Sequence, residues 1–407
     1  MQQNTPVNKW VSLCLFLTTA IYLFFIYHGL KLRDYDDDKI FLSIFDSEDM
    51  IKTLVYRYQT WSGRFVVEWV MTSTIGNSWF WKFGIPISIT LACWSCCRIA
   101  GLKSSVASLS MTVLLFSLIP YDINSDASWW VTGFYNYLLP IAICLYAFSI
   151  VYVESNSLLE KALCLTFSFY FPYMEQAGIA FVFSMVAIIF FRKKGRNSFN
   201  YLLIFIVIIN LIICLKAPGN ERRFNEEIWK WYPQYQNYGL MNRLALGYDK
   251  LHQLMSMRYN LPLIIFSATL FYVKLIVGPM TNTLKIAMAI LATFISISIA
   301  KCLTGIPNGG FFFNGNPVNA ETWSAGKLYI SYLYLLMVIS SLYIIMLDMA
   351  LQQLIPSTPI IAMLIGFMTV TMMGLSPTVY ASGLRVDMFF EMMCILSTIC
   401  IAKISFK

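Results

Sequence analysis

Charged side chains are scarce in this chain, 12% of 407 residues, which excludes a soluble globular domain and a disordered polymer. The basic residues are scattered among apolar stretches, so no nucleic-acid-binding surface is expected. No cysteine sits well inside a polar loop: all ten fall within or at the edge of apolar runs, and disulfide staples are therefore not expected. The cluster Cys93, Cys96 and Cys97 reads as small packing residues of a helix rather than a metal or redox site. Neither a Gly-x-x-x-x-Gly-Lys loop nor an internal repeat is present, so a cytosolic nucleotide has no obvious cradle. No small-x-small cleavage site follows the first apolar run, which at about 20 residues also exceeds a signal peptide and reads as an uncleaved helix.

What the chain has in quantity is apolar sequence, 58% of its residues. A bilayer core about 30 Å thick takes roughly 20 apolar residues per helical crossing. The runs 10–30, 83–99, 106–120, 137–153, 158–171, 177–191, 201–215, 261–277, 284–303, 328–347, 359–375 and 387–402 predict an all-α polytopic membrane protein of about twelve transmembrane helices. It reads as one integral membrane domain over 1–407. Arg192, Lys193, Lys194 and Arg196 crowd a short loop, which the positive-inside rule assigns to the cytoplasm. Parity then makes both termini cytoplasmic. That side collects twelve basic residues against three acids, and the other face seventeen against eighteen.

Every long polar loop falls on the outer face: 31–82, 121–135, 216–258, 304–326 and the shorter 376–386. The first opens with Asp34, Asp36, Asp37 and Asp38, acids whose mutual repulsion needs cations or hydrogen bonds in answer. One of Asp36, Asp37 and Asp38 is a candidate general base, against the plainer reading of a solvated loop or helix start. Asp46, Glu48 and Asp49 then open an amphipathic surface helix that ends at Trp61-Ser62-Gly63-Arg64, where Gly63 suits a left-handed cap. Arg64 either pairs with an aspartate or grips a phosphate through its fork.

The second outer loop is an aromatic belt in which Asn136 stands out as a polar group at a helix mouth. Glu175, in Pro172-Tyr173-Met174-Glu175-Gln176-Ala177-Gly178, is an acid inside an otherwise apolar stretch and a site candidate on that ground. If that stretch were a single long crossing, the parity argument would fail. Pro218-Gly219 predicts a turn presenting Asn220, Arg222 and Arg223 at the membrane surface, either as headgroup anchors or as a clamp for a lipid-linked phosphate. Arg385 precedes the last helix.

These pieces, in their order and one-sided placement, resemble the polytopic O-antigen glucosyltransferases of serotype-converting phages and enteric bacteria. The matching stretches are Asp36 to Asp38, Trp61-Ser62-Gly63-Arg64, Asn136-Tyr137 with Pro140, Glu175-Gln176-Ala177-Gly178, Ala217-Pro218-Gly219-Asn220 with Arg222 or Arg223, and Ser376-Pro377 with Arg385. The resemblance implies a GT-C-like fold in a bacterial inner membrane and transfer of a hexose, glucose, from an undecaprenyl-phosphate sugar to O-antigen of lipopolysaccharide on the periplasmic side. It implies a base among Asp36, Asp37 and Asp38, phosphate contacts from Arg64, Arg222, Arg223 and Arg385, and sugar contacts from Asn136, Glu175 and Asn220. It also implies a donor flippase and a donor-synthesising enzyme as functional partners. No cofactor is required, no metal ligand is assigned, and a divalent cation between aspartate and phosphate is allowed but not demanded. The competing classes are a flippase or other lipid-linked sugar transporter, and an O-antigen polymerase.

Overall fold

The computed structural model describes residues 9–46, 49–102, 105–191, 195–257, 259–304 and 326–405, and these are all-helical. Glu48, Lys103, the basic residues Arg192, Lys193 and Lys194, and nearly all of loop 304–326 lie outside the described residues. Each expected apolar run carries a helix. Among the described residues seven helices are long and apolar enough to cross a bilayer: Lys9–Gly29, Ser78–Ile99, Val131–Tyr152, Ser198–Leu215, Asn282–Thr304, Tyr329–Leu351 and Thr358–Leu375. Val106–Ser117 and Tyr121–Trp129, bent by 98°, make an eighth if counted as one span. The helices gather into two compact units, residues 1–117 with 121–226, and 118–120 with 227–407.

In the first unit, α1 (Lys9–Gly29), α5 (Ser78–Ile99), α6 (Val106–Ser117), α9 (Leu139–Tyr152), α11 (Glu175–Phe191) and α12 (Ser198–Leu215) form the apolar framework. Helix α5 packs on α9, α6 and α1, and α11 packs on α12 and α9. Outward-facing Phe24, Phe25, Phe205 and Ile212 are exposed, as helices surrounded by lipid require. The polar stretch 31–82, expected to carry surface helices, holds three short helices: α2 (Asp36–Phe45), α3 (Met50–Thr60) and α4 (Phe65–Thr74). Helix α3 leaves Ile51, Val55 and Tyr56 exposed, the apolar stripe of an interfacial helix.

The stretch 121–138 is wound into α7 (Tyr121–Asn124), a π-helical segment Ser125–Trp129, the single turn α8 (Val131–Gly133) and a second π-helical segment Phe134–Leu138. The stretch from 158 breaks after α10 (Leu158–Phe167), passes a 3-10 turn Phe171–Tyr173 and restarts as α11 at Glu175. Ser157 caps α10 by accepting from the Glu160 amide at 3.3 Å, and Asn197 caps α12 through the Asn200 amide at 2.9 Å. Helix α13 (Pro218–Trp231) begins at Pro218, so Pro218-Gly219 opens a helix instead of forming a free-standing turn. Proline lacks the N–H that a first-turn residue leaves unused.

The second unit comprises α14 (Leu240–Met255), α15 (Leu261–Ile276), α16 (Asn282–Thr304), α17 (Gly326–Leu351), α18 (Thr358–Thr371) and α19 (Met388–Ser405). Helix α19 packs along α18 and α15, α16 lies against α17, and α14 packs on α18 and the 3-10 turn Met372–Leu375. All ten cysteines are free thiols; Cys93, Cys96 and Cys97 are buried in α5.

Candidate functional site

The turn between α3 and α4 is locked into the junction of α12 and α13 at backbone level. A Cβ on Gly63 would lie 2.0 Å from the Cys214 carbonyl oxygen, and one on Gly219 would lie 2.3 Å from the Trp61 nitrogen. Gly63 therefore serves close approach; it does not adopt the left-handed conformation expected of a cap. Asn220 completes the clasp. Its Oδ1 accepts from the Gly63 amide at 2.9 Å, and its Nδ2 donates to the Cys214 carbonyl at 2.6 Å, one of the orphan acceptors at the end of α12. With both ends of its amide on backbone, Asn220 holds the loop that carries Arg64.

Arg64 leaves this clasp to meet Glu175, at the start of α11, rather than an aspartate of the first loop. Nε and Nη2 donate to the two carboxylate oxygens at 3.3 and 2.7 Å, and Nη1 donates to Asn136 Oδ1 at 3.2 Å. Burial opposes the Arg64 charge, but the Glu175 carboxylate more than offsets it, so the guanidinium holds its proton more tightly than usual. The pair is about a quarter exposed, 21% and 27% by side chain. Two of the five guanidinium N–H groups remain for a further acceptor.

Asn136 sits in the second π-helical segment and donates to the Thr132 carbonyl at 3.0 Å. Thr132 in turn holds Asp38, whose Oδ1 accepts from the Thr132 amide at 2.9 Å and hydroxyl at 2.6 Å, while Oδ2 accepts from the Arg33 amide at 3.0 Å. Asp38 is 1% exposed with three donors on it, which makes it the anchor of α2. Asp36 and Asp37 are exposed, and Asp36 takes a positive φ of 59° as it opens the helix, a strained conformation for a residue with a side chain. A continuous path thus runs Asp38, Thr132, Asn136, Arg64, Glu175.

The other arginines each have their own setting. Arg223 stands over the Trp61 ring at 5.8 Å and within electrostatic reach of Glu175. Arg222 is exposed and pairs along its own helix with Glu226 at 3.0 Å. Arg385 lies in the second unit, on the turn Arg385–Asp387. Among the described residues no three His, Cys, Asp or Glu side chains converge to hold a metal.

Three parts of this arrangement have weak sequence signals. Thr132 is one hydroxyl in an aromatic loop. Arg33, whose Nη2 meets Asp126 Oδ1 at 2.8 Å with its guanidinium over Trp130 at 4.9 Å, ties the start of the acidic run to the second polar stretch. Arg57 and Glu68 form a fork of 2.8 and 3.1 Å between α3 and α4, legible only as opposite charges eleven positions apart.

No protein-family profile, curated protein or solved structure matches this chain.

Proposed function

We propose that the chain is a membrane glycosyltransferase with about twelve crossings and a GT-C-like fold, both termini cytoplasmic. On this reading it moves a hexose from a polyprenyl-phosphate sugar to O-antigen on the periplasmic face of a bacterial inner membrane. The observation that carries this reading is the path from the acidic start of α2 through Thr132 and Asn136 to the part-exposed Arg64–Glu175 pair. It joins a carboxylate-bearing segment to a guanidinium with donors to spare, beside apolar helices suited to a lipid tail.

Transfer breaks the bond between the anomeric carbon and the phosphate oxygen and makes one to the acceptor hydroxyl. The hydroxyl proton passes to a carboxylate, and the lipid phosphate leaves with an added negative charge. Asp36 and Asp37, exposed beside the anchored Asp38, are the residues assigned to the proton. Arg64 offers its two remaining N–H groups to the departing phosphate, with the Arg223 guanidinium nearby over Trp61. Asn136 and Glu175 orient Arg64 and border the sugar, and Asn220 acts through the loop it clasps. No nucleotide enters the reaction, because the phosphodiester already carries the activation.

The test is the O-antigen structure of a host expressing the chain with its donor pathway, beside Asp36→Asn and Asp37→Asn variants at equal membrane level. A side-branch hexose that one variant abolishes supports transfer and the first-loop base. An unchanged O-antigen in every strain overturns it. A carrier would then become the better reading, resting on the buried acids Asp387 and Glu391 of the second unit.

A further inference from the structure

The second unit holds ionisable side chains that the transfer reaction leaves unused. Lys250 on α14 is 1% exposed, and Asp387 and Glu391 are both 0% exposed. Asp387 ends the turn Arg385–Asp387 that runs straight into α19, and Glu391 follows four residues on, so the two carboxylates share one face. Lys250 Nζ donates to the Gly383 carbonyl at 2.9 Å and stands 3.4 Å from Asp387 Oδ2. Glu391 Oε1 accepts from Asn260 Nδ2 at 2.9 Å. Neither oxygen of Asp387 receives a hydrogen bond, and Glu391 Oε2 has none.

Fully ionised, this group places two carboxylates against one ammonium where water is excluded, leaving an uncompensated negative charge that a buried site does not tolerate. Among the described residues, Lys250 is the one cation that pairs with either carboxylate. Helix α18, packed along α19, has no titratable side chain, and α19 itself adds the thiols of Cys394 and Cys400 and, twelve positions beyond Glu391 in its last turn, Lys403. Helix α15 contributes the Asn260 amide at its cap, and its own lysine, Lys274, pairs with Asp348. On α14, Arg243 donates to the Tyr238 carbonyl at 3.0 Å and lies over the Tyr235 ring, Asp249 accepts from the Tyr332 and Tyr380 hydroxyls, and His252 meets Ser331 Oγ at 2.6 Å. Lys301 of α16 donates to the Ser256 carbonyl, and Arg385 is partly exposed on its turn.

We propose that Asp387 and Glu391 form a proton-binding site that holds one proton between them, Glu391 as the acid and Asp387 as the carboxylate that accepts its hydrogen bond. One hydrogen then gives Glu391 Oε2 an acceptor and an Asp387 oxygen a donor, and with Lys250 the trio is electrically neutral. A metal cation in the proton's place would sit beside the Lys250 ammonium, which disfavours it. The site belongs to the second unit alone and does not depend on the glycosyltransferase reading.

Infrared spectroscopy of the full chain in nanodiscs tests this, through the protonated-carboxyl band that shifts in heavy water. The band is expected in the unmodified protein and lost in Glu391→Gln. It is also lost in Asp387→Asn, because Glu391 then ionises against Lys250. Lys250→Met should raise it to twice its intensity, since both acids then need a proton. A band that survives Glu391→Gln overturns the site. A band that survives Asp387→Asn overturns the sharing, leaving an acid neutral through burial alone. If Lys250→Met does not fold, the two carboxamide variants still decide the outcome.

Discussion

Glu175 lies 111 positions beyond Arg64 in the chain, yet its carboxylate takes the guanidinium through two nitrogens at 2.7 and 3.3 Å. A planar fork on a planar carboxylate fixes orientation as well as distance, which a lysine ammonium cannot do. Arg64→Lys should therefore keep the charge and lose the geometry. Under the proposed function, hexose transfer is expected to fall by about two orders of magnitude or more, as removal of one preorganised transition-state donor does. Glu175→Gln should lower stability by about 1–3 kcal/mol, discounted from the buried-pair range because the pair is a quarter exposed. Thermal unfolding in detergent, run beside O-antigen analysis, separates the two effects.

Asp38 and its neighbours should part company on substitution. Asp38→Asn removes an acceptor from the Thr132 and Arg33 donors and is expected to destabilise the protein by about 1–3 kcal/mol. Asp36→Asn and Asp37→Asn, on exposed residues, should stay within about 0.5 kcal/mol of the parent. Equal destabilisation by all three would remove the distinction between anchor and base.

The clasp offers a steric test with a built-in control. Gly63→Ala and Gly219→Ala place a methyl group where backbone atoms stand at 2.0 and 2.3 Å, so each should be destabilising by about 1–3 kcal/mol or more. Gly239→Ala has nothing within 4 Å and is expected to fold like the parent. Expression level and unfolding temperature report both.

Sidedness can be read chemically. A cysteine replacing Asn225 on α13 should react with a membrane-impermeant maleimide from the periplasm, and one replacing Lys285 on α16 only after the inner membrane is broken. The reverse pattern would invert the proposed orientation and move the Arg64–Glu175 pair to the cytoplasmic face.

Much of the framework was legible because helix-length apolar runs speak for themselves: a helix stands in each of them, and the break before Glu175 falls where Pro172 interrupts the run. Arg64, Asn136 and Glu175 stood out for the same reason, as polar groups out of place. Their connection did not, because pairing across 72 and 111 positions leaves no local trace. The π-helical segments around Trp130 were hidden as well, since an extra residue per turn follows no hydrophobic period. Gly63 was read through the commonest use of glycine at a helix end, while its actual constraint comes from a carbonyl 151 residues further along the chain.

The clasp has a mechanical consequence. Helix α12 has 18 residues, a length of about 27 Å against a hydrocarbon core of about 30 Å. A helix slightly shorter than its bilayer is matched by thinning of the lipid around it, at a cost that rises with bilayer thickness. Because Gly63 and Asn220 fasten the α3–α4 turn to the end of α12, the depth of that end in the bilayer sets the depth of the Arg64 loop. The site would then sense acyl-chain length, and the lipid composition of the host membrane would set the working distance between the guanidinium and whatever anion it meets.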